Sequence, residues 1–135
     1  MNDKSKLPSM EYRFDISVNG DESNTVFLGS FTYKRPTIAV RSMIEQMRVR
    51  LNGDLRTLDN DIALNNEALS MLRFTLIDSP QWWKDSDYGG NLHDENVIFE
   101  LYNKCIQFES EWRKKVFGGK AEAVSEQASN SSQTP

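Results

Sequence analysis

EYRFDISVNGDESNTVFLGSFTYKRPT, residues 11–37, reads as two strands joined by a turn and followed by a change of period. Tyr12, Phe14, Ile16 and Val18 alternate with Arg13, Asp15 and Ser17, the pattern of a strand with one face in a core. Asn19-Gly20-Asp21-Glu22-Ser23-Asn24 supplies turn chemistry, and Phe27, Phe31 and Tyr33 resume the alternation with Gly29 between them. A β-hairpin is expected. Two strands alone are marginally stable in water, so their apolar face needs helices over it or their edges need another chain.

Beyond Lys34-Arg35-Pro36 the apolar spacing becomes helical. Val40, Met43, Ile44, Met47 and Leu51 fall on one stripe, with Thr37 as N-cap and Asn52-Gly53 as the stop. A second helix is expected from about Asp59, carrying Ile62, Leu69, Leu72 and Leu76 and ended by Ser79-Pro80. A third is expected from an N-cap at Asp94, with Glu95 at the positive end of the helix dipole. It would bury Val97 or Ile98, Leu101, Cys105, Phe108 and Trp112, and stop at Gly118-Gly119. The expected fold class is α+β: an N-terminal β-hairpin packed on a three-helix array.

The chain has 135 residues, enough for one domain of ordinary size. Its 38% hydrophobic and 27% charged residues are a globular composition. We divide it into a flexible N-terminus at 1–10, a single domain at 11–117, and a disordered tail at 118–135. That tail is rich in Gly, Ala, Ser, Gln and Glu, lacks aromatics, and has too little apolar surface to offset its chain entropy. The net charge of -4 is unevenly spread: residues 1–57 hold nine basic and seven acidic side chains, residues 58–135 seven and thirteen. One cysteine excludes an internal disulfide. With no N-terminal apolar stretch resembling a signal peptide or membrane span, synthesis in the cytosol is expected.

Chemistry has little to work with. His93 beside Asp94 lacks an accompanying nucleophile, and Cys105 lies on an apolar stripe as a small core hydrophobe, so no catalytic residue and no cofactor is assigned. Asp85, Asp87, Gly90 and Asn91 take the first, third, sixth and seventh places of an EF-hand-like loop. Gly89 at the fifth place and Asn96 at the twelfth leave two ligands missing, and no metal is assigned. We read the segment as a solvated connection made flexible by Gly89-Gly90. Lys34, Arg35, Arg41, Arg48, Arg50 and Arg56 cluster in sequence, yet they fill the polar positions that any solvated amphipathic helix must fill, and no nucleic-acid partner is assigned. Met43, Met47 and Met71 are assigned to the core.

Ser79-Pro80-Gln81-Trp82-Trp83 points to binding. Adjacent residues point in different directions, so one ring is expected inside and the other near the surface, without deciding which. The alternative is that both rings plug the gap between the second and third helices.

The order of these elements, Gly29-Ser30-Phe31-Thr32-Tyr33-Lys34-Arg35-Pro36-Thr37 leading into a helix, then the Pro-Trp-Trp turn, then Asp94-Glu95-Asn96-Val97-Ile98-Phe99-Glu100-Leu101-Tyr102 and a terminal Glu109-Ser110-Glu111-Trp112, resembles tail assembly chaperones of long-tailed bacteriophages over residues 25–117. The resemblance implies a non-enzymatic factor of the host cytoplasm. Such a factor binds the tape measure protein, keeps its apolar faces from aggregating, and delivers it to tail tube protein, with room for a homo-oligomer. The expected partner-binding patch is Trp82, Trp83, Phe99, Tyr102 and Trp112. The competing class is a structural virion protein, a head-tail connector or decoration protein, using the hairpin edge.

Overall fold

Cross-strand pairing sets the first layer. In a computed structural model that describes residues 7–53 and 59–118, β1 (Glu11–Asn19) runs antiparallel to β2 (Val26–Lys34). The register puts Tyr12 opposite Tyr33, Phe14 opposite Phe31, Ile16 opposite Gly29 and Val18 opposite Phe27, so the apolar set of each strand shares one face. Phe14 and Phe31 stack at 5.8 Å and are buried. Glu11, Arg13, Asp15 and Ser17 lie on the opposite, exposed face, where Ser30 Oγ donates to Asp15.

The other elements follow in the order α1 (Ile38–Asn52), α2 (Asn60–Thr75), β3 (Leu76–Asp78), α3 (Gln81–Asp85) and α4 (Glu95–Phe117). The α+β class is therefore present, as a three-stranded antiparallel sheet in the order β1-β2-β3 with four helices. Thr37 caps α1 by accepting from the Val40 N–H, and Gly53 closes it at φ 66°. Asp59 caps α2 by accepting from the Asp61 N–H.

Two elements differ from expectation. The second helix stops at Thr75, whose Oγ1 donates to the Met71 carbonyl at 2.7 Å. Leu76, expected on its stripe, instead opens β3 and pairs with Tyr33, while Asp78 pairs with Thr32 across a bulge. Extended backbone there satisfies β2's second edge, which helical backbone cannot do. After Pro80, Gln81–Asp85 adds a short fourth helix that the sequence pattern does not announce.

The structure divides into two units. The larger, Met10–Cys105, has its core in Phe14, Ile16, Phe31, Tyr33, Ala68, Leu72, Leu76, Trp83, Val97, Ile98 and Leu101, all buried. In the smaller unit, residues 106–118 group with 7–9, whereas the sequence reading kept 11–117 together. There Trp112 Nε1 donates to the Pro8 carbonyl at 3.4 Å, and the Trp112 ring meets Phe117 edge-on at 6.4 Å. The tail expected to be disordered lies, from residue 119, outside the described residues, as do 1–6 and Arg56.

Asp94 departs from its expected role. Its carboxylate serves the hairpin turn: Oδ1 accepts from the Glu22 and Ser23 N–H groups at 2.7 and 2.8 Å, and Oδ2 from Ser23 Oγ at 2.7 Å. Next to it, Asn96 accepts from the Asp21 N–H and donates to the Asn19 carbonyl. A Cβ on Gly20 would sit 2.5 Å from Asp94 Cγ, so glycine is what lets the carboxylate in. Hydrogen bonds from the Ser23 hydroxyl and N–H, then from Glu22, hold the Asp94 carboxyl below the usual range.

The glycine segment after α3 is a chain of tight turns, not the loose connection expected. Asp87, Tyr88 and Gly89 all have positive φ, at 56°, 54° and 91°. Arg73 fastens the segment by an ion pair to Asp87 at 3.3 Å and by lying 4.7 Å over the Tyr88 ring. A Cβ on Gly89 would meet Trp83 Cη2 at 2.6 Å and Ile98 Cδ1 at 2.8 Å.

Two outcomes follow from these contacts. Gly89→Ala should lose about 2–4 kcal/mol, from overpacking together with left-handed backbone cost, in a urea unfolding curve; an unchanged midpoint would contradict the packing of Gly89 on Trp83. A carboxyl with lowered folded pKa adds stability that is present above its unfolded pKa, near ~3.9, and is lost as pH falls through the folded value. Asp94→Asn should therefore lower the urea midpoint at pH 7, with the gap from the native chain closing in strong acid; equal midpoints at pH 7 would remove the turn contact.

Candidate protein-binding surface

The Pro-Trp-Trp turn docks on β2. Gly29 has no side chain to meet Pro80, whose Cγ would lie 2.6 Å from a Cβ there. One turn on, Trp82 Nε1 donates to the Leu28 carbonyl at 2.8 Å, and its ring contacts Phe27 at 5.1 Å and Phe31 at 5.8 Å. β3 pairs with β2 only at Thr32 and Tyr33, so the half-buried indole of Trp82 takes a backbone acceptor that strand pairing leaves over. Trp83 turns inward and is 0% exposed, edge-to-face with Phe31 at 5.9 Å and with Trp82 at 6.1 Å. Among the described residues its Nε1 meets no hydrogen-bond acceptor.

Of the five residues expected to form a patch, two are buried. Trp83 and Trp112 are buried and offer no ring to a partner, because each is spent on packing. Phe99 and Tyr102, three apart on α4, are half-buried and are not among the ring contacts of Trp82. Burial pushes the Tyr102 hydroxyl above its ordinary range, and the charge of Glu67 on α2 adds to the shift. Trp82 is thus placed by β2.

The open apolar surface lies elsewhere. α1 contains no buried residue at all. Of its expected stripe, Val40, Ile44 and Met47 are half-buried, whereas Leu51 and Met43 are exposed, so Met43 stands outside the core to which the sequence assigns it. α1 packs along α2, where Asn66 Nδ2 donates to Asn52 Oδ1 at 2.9 Å. Across this arm Ile38, Met43, Val49, Leu51, Ile62 and Leu64 stand open, from 39% exposure at Leu51 to 78% at Ile38. A groove of about 450 Å³ runs between the helices, lined by Arg48, Asn52, Asn60, Ala63, Leu64 and Glu67. Arg48 is held on its rim by Glu45, with Nε to Oε1 at 3.1 Å, which lowers the pKa of Glu45. Sequence periodicity found the stripe of α1; a count of what could cover it would have shown the excess, since one neighbouring helix cannot enclose five apolar positions.

Comparison with known proteins finds no matching family model, no matching curated protein and no matching solved structure. Among the described residues, no group of three or more His, Cys, Asp or Glu could hold a metal ion, and no helix is long and apolar enough to cross a membrane.

The two tryptophans should differ in a denaturant titration. Trp83→Ala empties a fully enclosed site and is expected to cost about 3–5 kcal/mol. Trp82→Phe keeps the ring but removes the indole donor to Leu28, for about 1 kcal/mol. Equal losses would refute the division of labour between them.

Proposed function

We propose that this chain is a tail assembly chaperone of long-tailed bacteriophages that binds the tape measure protein through the α1–α2 arm, in the host cytoplasm and without covalent chemistry, and passes it to tail tube protein. The observation that supports the reading is a fifteen-residue helix none of whose side chains is fully buried in its own fold. Solvent-facing Met, Leu, Ile and Val on paired helices suit an amphipathic helical client, whose apolar face can lie along them. Met43 and Met47 add a pliable surface, which tolerates many registers of a long repetitive helix better than branched side chains do. Relative to the sequence expectation, the binding surface moves from the tryptophans to the arm.

Co-expression with the phage tape measure protein tests this. The long protein should become soluble and co-purify with the native chain, and Met43→Lys combined with Ile62→Lys should lose at least tenfold in affinity, or about 1.4 kcal/mol, while the fold survives. A tape measure protein that stays insoluble beside a folded partner would overturn the reading, and recovery of the chain from purified particles would then favour a virion component.

A further inference from the structure

We propose that the pocket where the end of β2, the start of α1 and the α2–β3 junction meet binds an acidic peptide segment, holding one large apolar side chain inside and the neighbouring carboxylates on its rim. The proposal stands independently of the α1–α2 groove, which lies at the other end of α1 around Arg48 and Asn52. The pocket encloses about 180 Å³ and is lined by Lys34, Arg35, Pro36, Val40, Phe74 and Ile77, with the Thr37 cap beside them. Its apolar wall exists because α2 ends at Thr75. Leu76 pairs with Tyr33 and turns into the core, so Ile77, next along extended backbone, projects the opposite way and is 54% exposed. Pro36, Val40 and Phe74 are each half-buried, closed toward their own fold and open toward the pocket.

Size and charge select the occupant. Sites for whole small molecules run to roughly 300–1,000 Å³, so this one has room for a single side chain. The charged residues of the lining, Lys34 and Arg35, are both cations, and no Asp or Glu is among them. Among the described residues Lys34 takes part in no ion pair, and Glu11, opposite it in the strand register, is not joined to it. Asp78, next to Ile77 in sequence, pairs through its backbone with Thr32 and stands exposed outside the lining. α1 begins here with no acidic residue in its first turn, so the positive end of its dipole adds to the same field. Two cations over an apolar floor match carboxylates set beside an apolar anchor. A nucleic acid is the poorer match, since two adjacent cations neutralise few phosphates and the net charge of -4 repels the strand.

Titration of the full-length chain with synthetic peptides, each a Leu, Phe or Trp flanked by Glu on both sides, provides the test. Amide shifts in two-dimensional NMR spectra should be saturable and centred on residues 34–40 and 74–77. Replacing the central residue of the peptide by Ser should weaken binding about tenfold or more, and added salt should weaken it as well. Lys34→Glu with Arg35→Glu in one variant reverses the rim, and Ile77→Lys in another removes an apolar wall while adding positive charge. Each should lose about tenfold or more in affinity for the apolar-centred peptides. The three positions are exposed or half-buried, and circular dichroism checks that both variants fold. The absence of a saturable shift with all three peptides, or an unchanged affinity in either folded variant, would overturn the proposal. A single-stranded oligodeoxynucleotide that shifts these amides where the peptides do not would overturn it in favour of a nucleic acid.

Discussion

The seating of Pro80, Trp82 and Trp83 on β2 is the constraint on which the larger unit depends. A two-stranded hairpin with an aromatic inner face is not stable alone, and β3 covers only a short part of its second edge. The missing side chain at Gly29 admits the Pro80 ring, Trp82 donates to the Leu28 carbonyl, and Trp83 passes beneath Phe31. Three successive uses of one pentapeptide thus close the sheet edge, cover its face and start the core shared with Gly89 and Ile98. The positive φ angles of Asp87, Tyr88 and Gly89 follow from the same demand, since the chain must turn over the Trp83 ring in very little space.

Much of this was legible. Period-two alternation located both strands, and the Thr37 cap, the stop at Gly53 and the start of the second helix near Asp59 fell where the sequence placed them. The stripe of α4 from Val97 to Trp112 is buried as its spacing required, with Phe108 half-buried. What escaped depended on partners distant in sequence. Leu76 has the right spacing for a helix, and only its pairing with Tyr33 makes it a strand residue. Asp94 has the right identity for a cap, and only the hairpin turn reveals that its carboxylate is used there. The open apolar surface of α1 escaped for a related reason. An apolar stripe in a sequence states that something must cover it, without stating that the cover belongs to the same molecule.

The arm shows that distinction in its composition. α2 has Ala68, Ser70, Leu72 and Thr75 buried in its C-terminal half, and exposed or half-buried residues elsewhere. α1 lies at the outside, with an Arg48–Glu45 pair and the groove toward Glu67 as its polar detail. Such a helix gains little from its own fold beyond contact with one neighbour. Its exposed apolar side chains add little buried area to that fold.

The contact between Asp94 and the hairpin turn also orders events in time. Glu22 and Ser23 are synthesised more than seventy residues before the carboxylate that satisfies their backbone N–H groups. During translation the two strands leave the ribosome first, with their turn unsecured and the faces of Phe14 and Phe31 uncovered. Local pairing can begin, but the loop settles only when the start of α4 emerges, and a separation of this length makes that step slow relative to helix formation. A nascent chain stalled before Asp94 can therefore seat Pro80, Trp82 and Trp83 on the hairpin but leaves the turn at Glu22 and Ser23 unsecured, and completion of the fold waits on the start of α4.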